Sequence, residues 1–192
     1  MFERLELCLS KFAMEADALH VLDDKAVVAT LTAAARGMTV GPGELNPEWL
    51  AARGFVVLPQ ESGGHLTREQ CTRLAIALSS LGTENEFAVA TEPLHVGPLA
   101  YELAVTVDDL SSFSHECGPY NFVLFPPGEP THAVLFSTND YLLFAGPEAL
   151  VSSFAGDLTS ARSSFLSFVN DNFEVMQPAL RPLERYLDWI DA

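Results

Sequence analysis

The chain has 192 residues and carries 26 acidic against 10 basic side chains, a formal charge of −16 with a pI near 4.4. Hydrophobic residues make up 48% and charged ones only 19%, so a core can be buried without disulfides or metals and the chain is not of the disordered class. A polyanion needs a basic patch to release counterions, so nonspecific nucleic-acid binding is excluded, and no apolar run reaches the ~18 residues of a membrane span.

The first third reads as helical. Phe2, Leu5, Leu9 and Phe12 recur at helical spacing and predict an amphipathic first helix. That N-terminus mixes acids into its apolar stretch and does not read as a signal peptide. Asp23 and Asp24 precede an alanine-rich helix through Ala35, with Gly37 placed as a stop. Gly41-Pro42-Gly43 is a break. Asn46 as N-cap and Pro47 at the first helical position open a short helix ending near Gly54. Phe55–Leu58 predicts a strand. Thr67 with Gln70 forms a capping box for a helix through Leu81, closed by Gly82. Phe87–Ala90 predicts another strand.

The second half reads as sheet, then helix. Leu99–Val107 alternates, with Tyr101, Leu103, Val105 and Val107 on one face. Asp108 and Asp109 are placed to cap a short helix that Gly118-Pro119 ends. Three strands follow, Tyr120–Phe125, His132–Ser137 and Tyr141–Ala145. Pro126-Pro127-Gly128-Glu129-Pro130 is the first connection and Asn139-Asp140 the second. FVLF, AVLF and YLLF run apolar without alternation, which demands cover on both faces of the meander. Helices are predicted at Pro147–Phe154, Thr159–Phe173 and Pro178–Ile190. The fold class is therefore α+β: an antiparallel meander at about 120–145 plus further strands, covered by helices from both halves. One domain over 1–192 is expected, with a possible subdivision into 1–95 and 96–192 at the TEPLHVGP stretch.

Charge distribution is the strongest functional signal. No Lys or Arg occurs between Arg73 and Arg162, yet these 88 residues hold eleven carboxylates. They are Glu84, Glu86, Glu92, Glu102, Asp108, Asp109, Glu116, Glu129, Asp140, Glu148 and Asp157. The segment cannot form ion pairs within itself. Such a field either keeps an apolar protein dispersed or steers a basic partner.

Catalytic frames are missing. There is no phosphate-binding glycine loop, no GxSxG elbow, no CxxC pair, no HExxH and no calcium loop. His115-Glu116-Cys117 is the densest reactive cluster, although sequence neighbours need not share a pocket. Glu84 and Glu86 would share one face of an extended segment. Tyr120-Asn121, at the mouth of the meander, has the composition of a binding hot spot, with core packing as the plainer reading. Trp49 and Trp189 sit among apolar neighbours, and Asp188 and Asp191 oppose the dipole of the last helix. Cys8, Cys71 and Cys117 fit reduced structural thiols in a cytoplasmic protein. Arg outnumbers Lys eight to two, a compositional hint of a GC-rich bacterial genome.

These observations favour a non-enzymatic, protein-binding module of the immunity or toxin-inhibitor type. Carboxylates would meet the basic cleft of a nuclease-like partner. The expected contact residues are Glu84, Glu86, Asp108, Asp109, Tyr120 and Asn121. No catalytic residue, metal or cofactor is expected, and the free protein is expected to be mainly monomeric because its charge opposes self-association. The alternatives are a homodimeric structural or chaperone-like protein joined through the apolar strands, and a hydrolase using Cys117 or a carboxylate pair.

Overall fold

The computed structural model describes residues 19–92, 99–118, 120–172 and 174–191. The predicted first helix, Cys8, Pro119 and residues 93–98 of the possible domain boundary lie outside the described residues.

Strand β1 (His20–Val21) leads to helix α1 (Lys25–Met38), where Asp24 is the N-cap and accepts from the Ala26 and Val27 amides at 2.8 and 3.2 Å. Gly37 does not stop α1. The helix runs one residue further and closes at Thr39, whose amide bonds to the Ala35 carbonyl, since a glycine in a last turn weakens a helix without ending it. The Gly41-Pro42-Gly43 break is the turn of a small two-stranded sheet, β2 (Thr39–Gly41) with β3 (Glu44–Leu45). Helix α2 (Pro47–Arg53) has Asn46 as cap and Gly54 in the left-handed region at φ 61°, the conformation that glycine adopts at least cost. Strand β4 (Val56–Glu61) follows.

Helix α3 (Arg68–Ser79) carries the full capping box: Thr67 Oγ1 accepts from the Gln70 amide, and Gln70 Oε1 accepts from the Thr67 amide. Thr67→Ala should cost about 1 kcal/mol in chemical denaturation, with Thr67→Ser close to the parent. An alanine variant as stable as the parent would show that the box contributes nothing.

Strands β5 (Asn85–Ala90) and β6 (Ala100–Ala104) precede helix α4 (Val107–Cys117). Its cap is Thr106, which accepts from the Asp109 amide at 3.1 Å. Asp108 and Asp109 lie inside the first turn, where carboxylates favour the helix dipole. The meander is β7 (Phe122–Phe125), β8 (Ala133–Ser137) and β9 (Tyr141–Gly146). Helices α5 (Glu148–Ala155), α6 (Leu158–Asp171) and α7 (Gln177–Leu180) follow. A 3₁₀ helix (Arg181–Asp191) completes the described chain. The predicted single helix over Pro178–Ile190 is thus two pieces; Pro182 lacks the N–H that would carry an α-helical ladder through the junction.

Seven strands form one antiparallel sheet in the order β1-β6-β5-β7-β8-β9-β4. β5, from the first half, sits between β6 and β7 of the second. The architecture is α+β, with helices packed on the sheet. On one face Phe113 of α4 meets Tyr101, Phe122 and Phe136, and Phe154 of α5 meets Phe144 edge-on at 4.8 Å. The other face carries Val89, Val123, Phe125, Leu135, Leu143 and Ala145, all at most 2% exposed. Here α1 packs against β5, and Tyr141 Oη donates to the Gly43 carbonyl of the β2–β3 turn at 2.7 Å. Trp189 of the 3₁₀ helix donates to the Val57 carbonyl of edge strand β4 at 2.9 Å. The non-alternating strands are therefore covered on both faces by their own chain. Among the described residues no helix is long and apolar enough to cross a membrane.

Candidate functional site

An open groove of about 600 Å³ lies between the end of β4, the β8–β9 turn and α6. Its lining includes Glu61, Asp140, Asp171, Asn172, Ser163, Ser164 and Ser167, with Phe168 as the apolar wall. Among the described residues no Lys or Arg lines it. The local sequence explains each contribution. Helix α6 buries Phe165, Phe168 and Val169, so Ser160, Ser163, Ser164, Ser167 and Asp171, spaced by three or four, share the opposite stripe. Asp140 takes φ 60° in the tight β8–β9 turn, which an aspartate tolerates better than most side chains. Its carbonyl accepts from the Ser62 amide at 2.8 Å and fastens the loop after β4 against the hairpin.

The nearest cation on α6 does not neutralise this groove. Arg162 donates to the Leu187 carbonyl at 2.8 Å and pairs with Asp191 at 3.3 Å, so it points toward the 3₁₀ helix. Arg73 lines a neighbouring cleft that shares Glu61 and Ser164 with the groove; it donates to the Ala155 carbonyl and lies over the Phe154 ring. Asp157 caps α6, and hydrogen bonds from Ser160 hold its carboxyl below the usual carboxylate range. Among the described residues no three His, Cys, Asp or Glu side chains converge as a metal-holding group. The groove carboxylates are spread along a trough rather than gathered at a point.

The expected contact residues fall into separate places. Glu84 and Asp108 are exposed and Asp109 half-buried at one end of the sheet, where the Glu84 carbonyl accepts from the Val105 amide. Asp108 pairs with Arg68 at 3.2 Å, and Asp109 accepts from the Thr106 hydroxyl at 2.6 Å. Tyr120 and Asn121 are at the other end, beyond helix α4, whose 11 residues span roughly 16 Å. Tyr120 is 37% exposed. Asn121 is buried and structural: its Nδ2 donates to Glu92 at 3.1 Å and its Oδ1 accepts from the Thr138 amide at 3.0 Å.

Glu86 is a correction. It does not share an exposed face with Glu84; it is 0% exposed and bonded to His132, itself 0% exposed, at 3.0 Å. The reading of 84–86 as a solvated edge fails there: strand β6 pairs with Asn85 and Glu86, β7 pairs with β5 only from Phe87 on, and Glu86 is buried against His132 where that second ladder is missing.

The His115-Glu116-Cys117 cluster is also dispersed. His115 is exposed, its Nδ1 bonds to the Ser111 carbonyl at 2.8 Å, and its ring lies 4.4 Å from that of His65. Cys117 is buried, and desolvation pushes its thiol up to about 12. It lines a crevice of only about 20 Å³ with Ser114, Phe113 and Tyr120, room for about one water. Cys71 is likewise buried and free.

Glu61 and Asp171 lie outside the cation-free segment, so a reading of charge along the chain passes over them. The serine stripe of α6 was the available signal. Comparison with protein-family models, with curated proteins and with solved structures finds no match.

Proposed function

We propose that this protein is a non-enzymatic binding module of the immunity or inhibitor type, which receives a basic segment of a partner protein in the groove of Glu61, Asp140 and Asp171. The observation that carries this reading is the groove itself: concave, lined by three carboxylates, an amide and three hydroxyls, and without a lining cation among the described residues. Carboxylates and hydroxyls accept hydrogen bonds from ammonium and guanidinium donors. The surrounding charge of −16 raises the encounter rate with a cation and makes it salt-dependent. Cys117 is buried and desolvation pushes its thiol up, which disfavours the thiolate that a cysteine hydrolase needs. The strand residues of the meander are buried within the chain itself, which favours this reading over dimerisation through bare apolar strands. The exposed carboxylates Glu84 and Asp108 and the half-buried Asp109 belong to the same negative field and serve encounter rather than seating.

Two matched triple variants test this with a short oligolysine peptide by titration calorimetry. Glu61→Gln/Asp140→Asn/Asp171→Asn should weaken binding about ten-fold at low salt, from roughly 0.5 kcal/mol per lost ion pair. Glu84→Gln/Asp108→Asn/Asp109→Asn removes the same charge and should weaken it much less. Equal losses would reduce the effect to net charge and overturn the groove assignment.

A further inference from the structure

Both side chains of the Glu86–His132 pair are buried, at 0% exposure. Nε2 of His132 and Oε1 of Glu86 lie 3.0 Å apart, while Oε2 of Glu86 has no hydrogen-bond partner among the described residues. Nδ1 of His132 is 3.3 Å from the Thr131 hydroxyl, and its ring stands edge-on to Phe144. Packing is tight around it: a Cβ on Gly146 would come within 3.4 Å of the His132 Cβ and 3.1 Å of Leu150.

The strand register gives the pair its place. Phe87 opposes Phe125, and Leu124 opposes Val134. Continuing both ladders past Phe125 sets Glu86 and His132 on either side of Pro126. Strand β7 has ended there, and proline has no N–H to bridge with. The two side chains thus join β5 to β8 across a gap in the backbone ladder. The other carboxylates on the neighbouring elements face away. Glu84 and Glu148 are exposed. Glu102 is on the opposite face of β6, since Leu103 is the residue opposite Glu86, and it bonds to Asn85. Glu129 is exposed and pairs with Arg53 at 3.7 Å.

We propose that Glu86 and His132 form a one-proton latch, which holds β5 and β8 together over the end of β7 while the pair carries a single proton and releases them when acid adds a second or base removes the first. With one proton the pair is neutral overall, whether drawn as acid and imidazole or as carboxylate and imidazolium. With two protons it is a buried cation, with none a buried anion, and either is costly away from water. The unfolded chain binds two protons below the ordinary glutamate value of about 4.3 and none above the ordinary histidine value of about 6.5. The latch therefore contributes most between those values. Burial raises the Glu86 carboxyl and the bond to His132 only partly offsets it. A raised acid loses its contribution as pH climbs from its unfolded value through its folded one, the same direction as the upper limb. Release would loosen the Pro126–Pro130 connection, which carries the Glu129–Arg53 pair.

The test is denaturant unfolding from pH 4 to pH 8 of the parent and of Glu86→Gln/His132→Gln. Cys71, Cys117, Tyr101 and Tyr141 are all raised from values of 9.0 or more and act above this range, while the raised Glu116 and the lowered Asp157 are present in both proteins and cancel in their ratio. The ratio of the parent's folding constant to the variant's should peak between about pH 4.3 and 6.5 and fall by up to about ten-fold per unit toward pH 8, the slope of one proton. A ratio independent of pH overturns the latch. If the double variant does not fold, the carboxyl carbon of Glu86 in the parent decides by NMR. Titration displaced from the ordinary glutamate range, upward for the acid–imidazole form or downward for the carboxylate–imidazolium form, supports the latch, and titration within that range overturns it.

Discussion

His132→Leu, made alone, is expected to destabilise the fold by about 3–5 kcal/mol, because it leaves a carboxyl buried at 0% exposure without the histidine it is bonded to. Glu86→Leu should cost a similar amount. The double variant Glu86→Leu/His132→Leu should recover most of the loss, since two apolar side chains of suitable volume carry no desolvation penalty in this site. Denaturation of the four proteins at one pH closes the cycle. A coupling of at least 1 kcal/mol in favour of the double variant is expected, and strict additivity would show that the two side chains act independently. The physical distinction is between losing a favourable contact and stranding a polar group. Only the second is relieved by removing the partner as well.

Phe113→Ala is the other large effect, about 3–5 kcal/mol. Phe113 is 1% exposed and touches three rings edge-on, with centroids 6.3 Å from Tyr101, 5.4 Å from Phe122 and 5.5 Å from Phe136. It is the residue through which α4 is seated on strands β6, β7 and β8 together. Alanine would open a cavity where the surrounding β-strands, locked by their ladders, cannot collapse. Phe113→Leu keeps most of the volume and should cost under about 1.5 kcal/mol. The measurement is the midpoint and slope of denaturant unfolding. A loss below 1 kcal/mol for alanine would mean that α4 is anchored elsewhere, most directly by the Leu66 amide donating to the Ser114 hydroxyl.

The local signals of the chain were legible because each rests on chemistry between near neighbours. Asn46-Pro47 and Gly54 bound one helix, Thr67 with Gln70 started another, and Asn139-Asp140 turned a hairpin, all as read from the residues. The apolar runs of the meander announced burial on both faces, and the structure supplies helices and a small hairpin to cover them. Boundaries moved where two local devices competed. Thr106 took the cap from Asp108 and Asp109, and Pro182 divided the last predicted helix.

What one dimension determined was thus the order and type of elements, the α+β class and the sign of the surface. What only the tertiary structure decided was which carboxylates are neighbours and which reach water. Glu84 and Glu86 stand two residues apart, and one is exposed while the other is sealed against a histidine 46 positions away. Glu61, Asp140 and Asp171 are separated by most of the chain, yet they line one groove. A hydrogen bond in a cap or a turn spans three or four residues, so sequence spacing reports it directly. Burial and charge clustering depend on strand order in the sheet, and the placement of β5 between β6 and β7 is set by long-range packing that no local spacing encodes.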